Sequence, residues 1–594
     1  MMTRFQNRIV ILLFSMACLG QGDGDYSGYT IDELIIEGNR HFSVERIKQL
    51  MVSRPGWLWL KRTFQPALFE QDLHNIQQFY HQQGFLEMRV LSHQAEGDES
   101  TRRLSILLTL EEGERTTIEG INLFGNQQFP DSILKSVIKV NPGRPLMAKE
   151  IDETQTALLH FYAEAGFIDA EVTVNVKTAE QSHRAVVDFH ILENRVSLLN
   201  RVFCEGLIKT RPSVVLREMQ VDSAEVIQYS KLLETQKRLY LTGLFDYVFV
   251  KPGPIRPDNP LMRDIRIEVQ EHPYGEFNIS TGYGSEDKIR TRIEIAQKNV
   301  RGTARNIGLH TWLSFIQRGV MVSATDPWLF NQPVNADLNF LMEFKDEPGY
   351  NLYRSGGQGI LGKRLGQFVK IRLALRQDFT RFSQVKTMPD DQGRANIRSI
   401  KWAITYDARD NLFDTKRGIF FEFSYELARA VFEKHLIFHR YEGEYKIFRP
   451  FRSAVLGTGI SFGWMNTSAA VTDIPLNERY YVGGQGSVRG FDYKKIGPLN
   501  SKGIPTGGLI KIIWRVGELR HPLVRSLSGA IFCDAGNCWE KELPADRLHL
   551  RSSAGLGLRF HFFLGVVRMD YAWKLDRRPG EKAGALVFNM GHAF

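Results

Sequence analysis

A chain of 594 residues with 24% charged side chains, 51 glycines and 11% aromatics is too long for one ordinary domain and leans towards strands and turns. Its net charge of +9 is spread along the whole length without a run of five or six like charges, which sets aside a basic arm for nucleic acid. Past residue 21 no stretch approaches the roughly 18 consecutive apolar residues of a membrane helix, so any membrane span has to be a closed barrel.

Residues 1–21 place Arg4 and Arg8 ahead of the apolar run 9–14 and the small residues Ser15, Ala17 and Gly20, the layout of a secretory signal peptide. Ser15-Met16-Ala17-Cys18 faintly resembles a lipoprotein cleavage box, with Ser15 where leucine is wanted. Of the other cysteines, Cys204 stands alone, whereas Cys533 and Cys538 are close enough in sequence to pair. An exported compartment permits that disulfide, and a metal would need more ligands than this pair supplies.

From residue 28 the chain repeats. Ile35-Ile36-Glu37-Gly38-Asn39 aligns with Ile121-Asn122-Leu123-Phe124-Gly125-Asn126, and Pro-Gly follows both at the same distance. In the first copy Phe69, Leu73, Ile76 and Tyr80 are spaced for one helix face. Gly84-Phe85 and Gly166-Phe167 supply the left-handed stop, and alternating strands follow over 104–110 and 185–191. A looser third copy runs from Val202-Phe203-Cys204-Glu205-Gly206 through Gly243-Leu244-Phe245 to a strand over 264–269. Each unit therefore reads strand, helix, helix, strand, strand, giving α+β modules at 28–114, 115–194 and 195–272. Such modules pack helices on one face of a short sheet and leave an edge strand available.

After Pro273 dyads replace the helical periods. Phe421, Phe423, Tyr425 and Leu427 alternate with Glu422, Ser424 and Glu426; Val567, Met569, Tyr571 and Trp573 alternate with Arg568, Asp570, Ala572 and Lys574. This is the pattern of transmembrane strands with lipid outside and a polar lumen inside. At about 20 residues per strand with its connection, 273–594 predicts an all-β barrel of about 16 antiparallel strands, the last ending at Phe594.

The Gly-Asn, Pro-Gly and Gly-Phe landmarks resemble those of POTRA domains. Asn299-Val300-Arg301-Gly302-Thr303, Asp326-Pro327-Trp328-Leu329-Phe330, Tyr406-Asp407-Ala408-Arg409-Asp410-Asn411 and Val488-Arg489-Gly490-Phe491 are similar, in the same order, to motifs of the BamA and TamA family of outer-membrane assembly barrels. Three modules fit the TamA-like members better than BamA-like ones. The resemblance implies POTRA-like modules in the periplasm, a barrel in the outer membrane, and insertion or translocation of client proteins without cofactor. Its implied partners are unfolded outer-membrane or secreted clients, a periplasmic or inner-membrane accessory protein and outer-membrane lipid. A secretion pore for one dedicated client, and a passive channel or receptor, are the rival functions.

The same resemblance implies that the segment 480–491, with four glycines around Arg489, folds back inside the barrel, and that Glu518 and Asp534 are its lumenal carboxylates. Two carboxylates match the planar fork of one guanidinium. Val488, Arg489, Gly490 and Phe491 would then form a latch. A seam is expected between the first strand, with Phe277 and Gly282, and the last, with Phe588 and Phe594; cysteines at Gly282 and Asn589 are the bridge suggested by sequence. Gly459-Ile460-Ser461-Phe462-Gly463 fits a nucleophile elbow but lies in a strand pattern, and the 15 histidines show no ligand spacing. No catalytic site is expected, and the chain is read as a non-enzyme.

Overall fold

The computed structural model describes residues 26–56, 62–179, 182–388, 391, 393–412, 414–430, 436–524, 526–543, 548–562 and 565–590. The expected signal peptide 1–21, Cys18 and the terminal Phe594 lie outside the described residues. The chain divides into two compact units: 1–203 with 219–236 and 250–266, and 204–218 with 237–249 and 267–594.

The first module runs β1 (Thr30–Glu37), α1 (Val44–Lys48), α2 (Pro66–Gln82), β2 (Arg89–Asp98) and β3 (Arg103–Glu111). The second repeats it as β4 (Thr117–Phe124), α3 (Asp131–Leu134), α4 (Ala148–Glu164), β5 (Glu171–Ala179) and β6 (Arg184–Leu192). The third runs β7 (Leu198–Glu205), α5 (Pro212–Leu216), α6 (Tyr229–Leu241), β8 (Phe245–Pro252) and β9 (Met262–Glu271). In each the last strand is central, giving the sheet orders β1-β3-β2, β4-β6-β5 and β7-β9-β8. The first two strands to pair are parallel, β1 with β3 and β4 with β6, and β2 and β5 join antiparallel.

Packing explains why the pattern recurs. Helix α2 buries Phe69, Asp72, Ile76 and Tyr80, so the apolar face differs at one position from the sequence expectation: Leu73 is only partly buried. Asp72 takes the inner place because its carboxylate accepts hydrogen bonds from the Val52 and Ser53 amides at 2.8 and 2.7 Å, satisfying buried donors that would otherwise be orphaned. The glycines at the repeat starts have one cause in all three copies. Gly38, Gly125 and Gly206 hold φ of +87°, +88° and +86°, and a Cβ there would lie 1.9, 2.1 and 2.0 Å from the carbonyl oxygens of Leu110, Ile191 and Val269. No side chain fits that approach, so the glycine remains in the third copy, where the following Asn has gone.

The barrel comprises β10 (Gly275–Gly284), β11 (Lys288–Val300), β12 (Arg305–Ser314), β13 (Gln317–Asp326), β14 (Asn335–Glu347), β15 (Tyr350–Leu365), β16 (Val369–Ser383) and β17 (Arg394–Asp407). It continues through β18 (Gly418–Ala430), β19 (Ile437–Phe451), β20 (Ala454–Asn466), β21 (Ile510–Val524), β22 (Leu527–Trp539), β23 (Arg551–Phe562), β24 (Gly565–Lys574) and β25 (Gly584–Met590). Neighbours in sequence pair antiparallel and the sheet closes from β25 onto β10, so the expected strand number stands. Closure gives every strand a neighbour on both sides, the arrangement by which a sheet can span hydrocarbon.

Alternation along these strands follows the dyads. In β24 Met569, Tyr571 and Trp573 are exposed, whereas Asp570 and Ala572 are buried; in β18 Ser424 and Glu426 are buried between exposed Phe421 and Leu427. Since β10 leaves the third module, connections after odd-numbered strands lie at the module end and those after even-numbered strands at the far end. Among the described residues no helix is long and apolar enough to cross a membrane. Ser461 lies within β20, paired on both sides, and so forms no strand-to-helix elbow.

Candidate functional site

The connection 467–509, between β20 and β21, starts at the far end of the barrel and turns back into the lumen. Tyr480, Val482, Val488, Arg489 and Phe491 are all buried. Arg489 meets Asp534 of β22 as a fork, Nε to Oδ2 at 2.7 Å and Nη2 to Oδ1 at 2.9 Å, and its amide adds a third bond at 3.3 Å. Nη1 donates to Glu518 of β21 at 2.9 Å and to Asp570 of β24 at 3.2 Å. Below the guanidinium lies the Phe532 ring, 3.4 Å from Cζ to its centroid. The geometry thus brings together the three residues named from sequence and adds Asp570 and Phe532, which sequence reasoning missed. Asp570 was visible only as one polar member of the β24 dyads.

The flanking residues fit the same wall. Val488 is fully buried against Gly536, where a Cβ would come within 2.9 Å of its methyl carbon. Gly490 holds φ +87° with Ala572 so close that a Cβ would sit 2.9 Å from both its Cβ and its carbonyl oxygen. Phe491 is covered by cations of two strands, Arg551 at 4.8 Å and Lys574 at 5.0 Å from its ring centroid. Aromatic faces accept cations in this way. Arg559 also pairs with Asp570, so acidic and basic groups interleave instead of leaving Arg489 unpaired, the condition for keeping charge out of water.

Other parts of the connection tie it to the rest of the circumference. Glu478 accepts from Arg376 of β16, at 3.1 Å, and from Arg440 of β19, and those arginines also reach Glu426 of β18 at 2.8 and 3.1 Å. Lys494 and Lys345 both approach Glu347 of β14 at 2.7 Å. Gln485 donates its amide to Glu286, in the turn after β10, at 2.7 Å. The bonds of Glu478, Lys494 and Gln485 were not foreseen from sequence, because each joins the connection to residues far away in the chain.

Among the described residues the closing seam is short by comparison. β15 and β16 pair from Asn351 opposite Ser383 to Leu365 opposite Val369. β10 meets β25 through Tyr283 opposite Met590 and Gly284 opposite Asn589, among the described residues. Ser285 extends the contact, donating its amide to the Phe588 carbonyl at 3.0 Å and accepting the Phe588 amide at its hydroxyl at 2.7 Å. Arg290 donates to Asn589 at 2.8 Å. Phe588 packs 5.8 Å from the Tyr283 ring, whereas Phe277, at the other end of β10, is exposed. The register corrects one expectation: Asn589 faces Gly284, not Gly282, whose Cβ would lie 2.6 Å from the Met590 carbonyl oxygen.

A second correction concerns the cysteines. Cys533 and Cys538 are free thiols, both on β22. Five residues of extended strand separate them by about 16 Å, and an odd separation turns them to opposite faces, beyond the Cα distance of about 7 Å that a disulfide bridges. Cys538 faces inward and donates its thiol to the Tyr480 carbonyl at 3.2 Å.

At the module end two of the sequence motifs receive the third module. Asn299 donates to the Thr210 hydroxyl at 2.7 Å, and the Arg211 amide donates to the Gly302 carbonyl at 2.9 Å. Trp328 donates its indole N–H to Glu218 at 2.8 Å, with Arg217 stacked 5.2 Å from its ring. Burial pushes the Glu218 carboxyl up, against the indole bond and Arg217. Glu271 closes the same corner by accepting from the amides of Ile208, Lys209 and Thr210 and from the Tyr274 hydroxyl. Burial alone would raise its carboxyl, but those donors outweigh it and hold the group at about 2.

The Omp85 superfamily domain matches residues 299–594, and POTRA, the surface antigen variable number repeat, matches 29–113 and 116–194. The outer membrane protein assembly factor BamA of Neisseria meningitidis serogroup B is 22% identical over 95% of this chain and 78% of its own length. That of Nitratidesulfovibrio vulgaris is 23% identical over 95% and 73%. In fold, the crystal structure of BamA from Haemophilus ducreyi lacking POTRA domains 1–3 superposes with a TM-score of 0.69 at 19% identity, covering 80% of this chain and 99% of that one. The chain therefore belongs to the Omp85 superfamily, as a BamA/TamA-like outer-membrane barrel with POTRA domains in the periplasm.

Proposed function

We propose that the protein inserts or translocates other proteins at the outer membrane, without nucleotide or cofactor, by lending strand edges at the β10–β25 seam. The observation that carries this reading is the asymmetry of the barrel: fifteen interfaces are ladders of paired strands, while among the described residues, which end at Met590, the closing one is held near the far end of β10 by the Tyr283 and Gly284 pairs. A client strand pairing with β10 would satisfy its backbone there instead of in lipid, and an unpaired edge is a template for that pairing. The loop anchored at Arg489 braces β21, β22 and β24, the wall that leads up to the seam. The POTRA domains, each with an exposed second strand at the sheet edge, would receive extended clients by β-augmentation.

The relatives named as assembly factors favour many clients over one. Depletion of the protein followed by a census of outer-membrane proteins tests this: a broad fall across barrel proteins is expected. Loss of a single secreted protein would instead mark a dedicated secretion pore, and an unchanged census a passive channel or receptor.

A further inference from the structure

On the outward face of the barrel, at the cell-surface end, arginines stand where apolar side chains are expected. Register places Arg381 of β16 directly opposite Arg394 of β17, and Arg398 of β17 directly opposite Arg429 of β18. All four are exposed, and they share the face of the exposed apolar residues Phe379, Ile400, Trp402 and Leu427. None has an ion pair among the described residues; Arg398 donates Nε to the neutral Gln377 at 2.5 Å. Like charges directly across a strand pair are destabilising, and cations on a lipid-facing surface cost more still unless they sit near the interface and find anions. Two adjacent Arg–Arg pairs therefore demand a bridging anion, and the bidentate fork of arginine suits phosphate.

Beside these pairs an open groove of about 910 Å³ runs over β11 to β16, with Arg381 on its border. Its outward lining combines short side chains, Thr291, Thr311 and Ser355, with flanking Met342, Tyr353 and Phe379. That is a channel for hydrocarbon chains beneath a cationic rim. Arg318, at the same level on β13, lies over the Phe344 ring at 4.7 Å. The outward carboxylate of this sector, Asp346 of β14, stands one step further towards the rim. Arg394 and Arg398 are four residues apart on one face of β17, about 13 Å along the strand, so the two pairs offer separate positions for two phosphates.

We propose that this face is a binding site for a lipid of the outer leaflet that carries two phosphates, its acyl chains in the groove and one phosphate on each arginine pair. The site lies on the membrane surface of strands β11 to β18, on the opposite side of the wall from the lumenal loop. It would fix which lipid surrounds this sector of the wall.

Native mass spectrometry of the full-length, delipidated protein tests it, with lipid A, its monophosphoryl derivative, phosphatidylglycerol and inorganic phosphate as probes. Lipid A should bind about tenfold more tightly than the monophosphoryl form. It should lose a similar factor in the Arg381→Gln/Arg398→Gln variant and none in a Lys416→Gln/Arg417→Gln control at the module end. Heat-modifiable gel mobility verifies that each variant is folded, and the comparison of lipids on the unaltered protein stands without any variant. Equal binding of lipid A and phosphatidylglycerol, retention of lipid A by the folded double variant, or displacement of lipid A by millimolar inorganic phosphate would each overturn the proposal.

Discussion

Arg489 illustrates what one side chain does when it is surrounded by acids in a confined lumen. Removing it leaves Asp534, fully buried, without the fork that compensates its charge, and breaking a buried pair from one side costs about 3–5 kcal/mol. Arg489→Ala is therefore expected to release the loop, seen as protease cleavage within 480–491 that the parent resists, and to lower assembly in a depletion strain. Full complementation by a variant with a released loop would separate the latch from function. Arg489→Lys should fail nearly as far, since one ammonium cannot replace a fork on Asp534 together with bonds to Glu518 and Asp570. Glu271 acts at the other end of the barrel. Its carboxyl is lowered in the folded protein, so the stability it contributes is present above the ordinary carboxylate range near pH 4.5 and is lost as pH falls towards 2. Hydrogen exchange of the 208–210 amides should rise over that window in the parent and already be high at neutral pH in Glu271→Gln.

Elements show which features a linear reading can reach. Gly38 and Gly125 were legible as landmarks, and their cause is a carbonyl about 2 Å from any Cβ. Gly125→Ala should destabilise the second module by at least the roughly 1–2 kcal/mol of a left-handed non-glycine residue, read as faster exchange in β4 and β6 with the barrel unaffected. The glutamates that close each module were not legible. Glu112 and Glu193 accept from Tyr80 and Tyr162 at 2.8 Å and from amides after the glycine turn, yet they stand at strand ends far along the chain from their donors. Asp570 and the Glu478 network escaped for the same reason. Arg489 with Glu518 and Asp534 could be named because motifs follow the chain, whereas the cysteine pair misled because proximity in sequence along a strand becomes distance in space. At the seam, the register makes Tyr283 and Met590 the pair to lock. A disulfide between cysteines placed there should abolish assembly, and reduction should restore it; undiminished assembly with the bond formed would remove seam opening from the mechanism.

At the scale of the molecule, sixteen strands close into a wall whose β10–β25 seam is, among the described residues, its shortest ladder, and one long connection enters the lumen to brace that wall. POTRA domains occupy the periplasmic side, where clients arrive. On the function proposed above, the work of this arrangement is to hold strand edges ready and to keep the barrel from collapsing while they are used. The most direct measurement is insertion in a defined bilayer. Purified full-length protein in liposomes, given a urea-unfolded outer-membrane barrel protein, should speed the appearance of the folded, protease-resistant client over empty liposomes, and the Tyr283–Met590 crosslink should return the rate to that of empty liposomes. Equal rates with and without the protein would contradict the account.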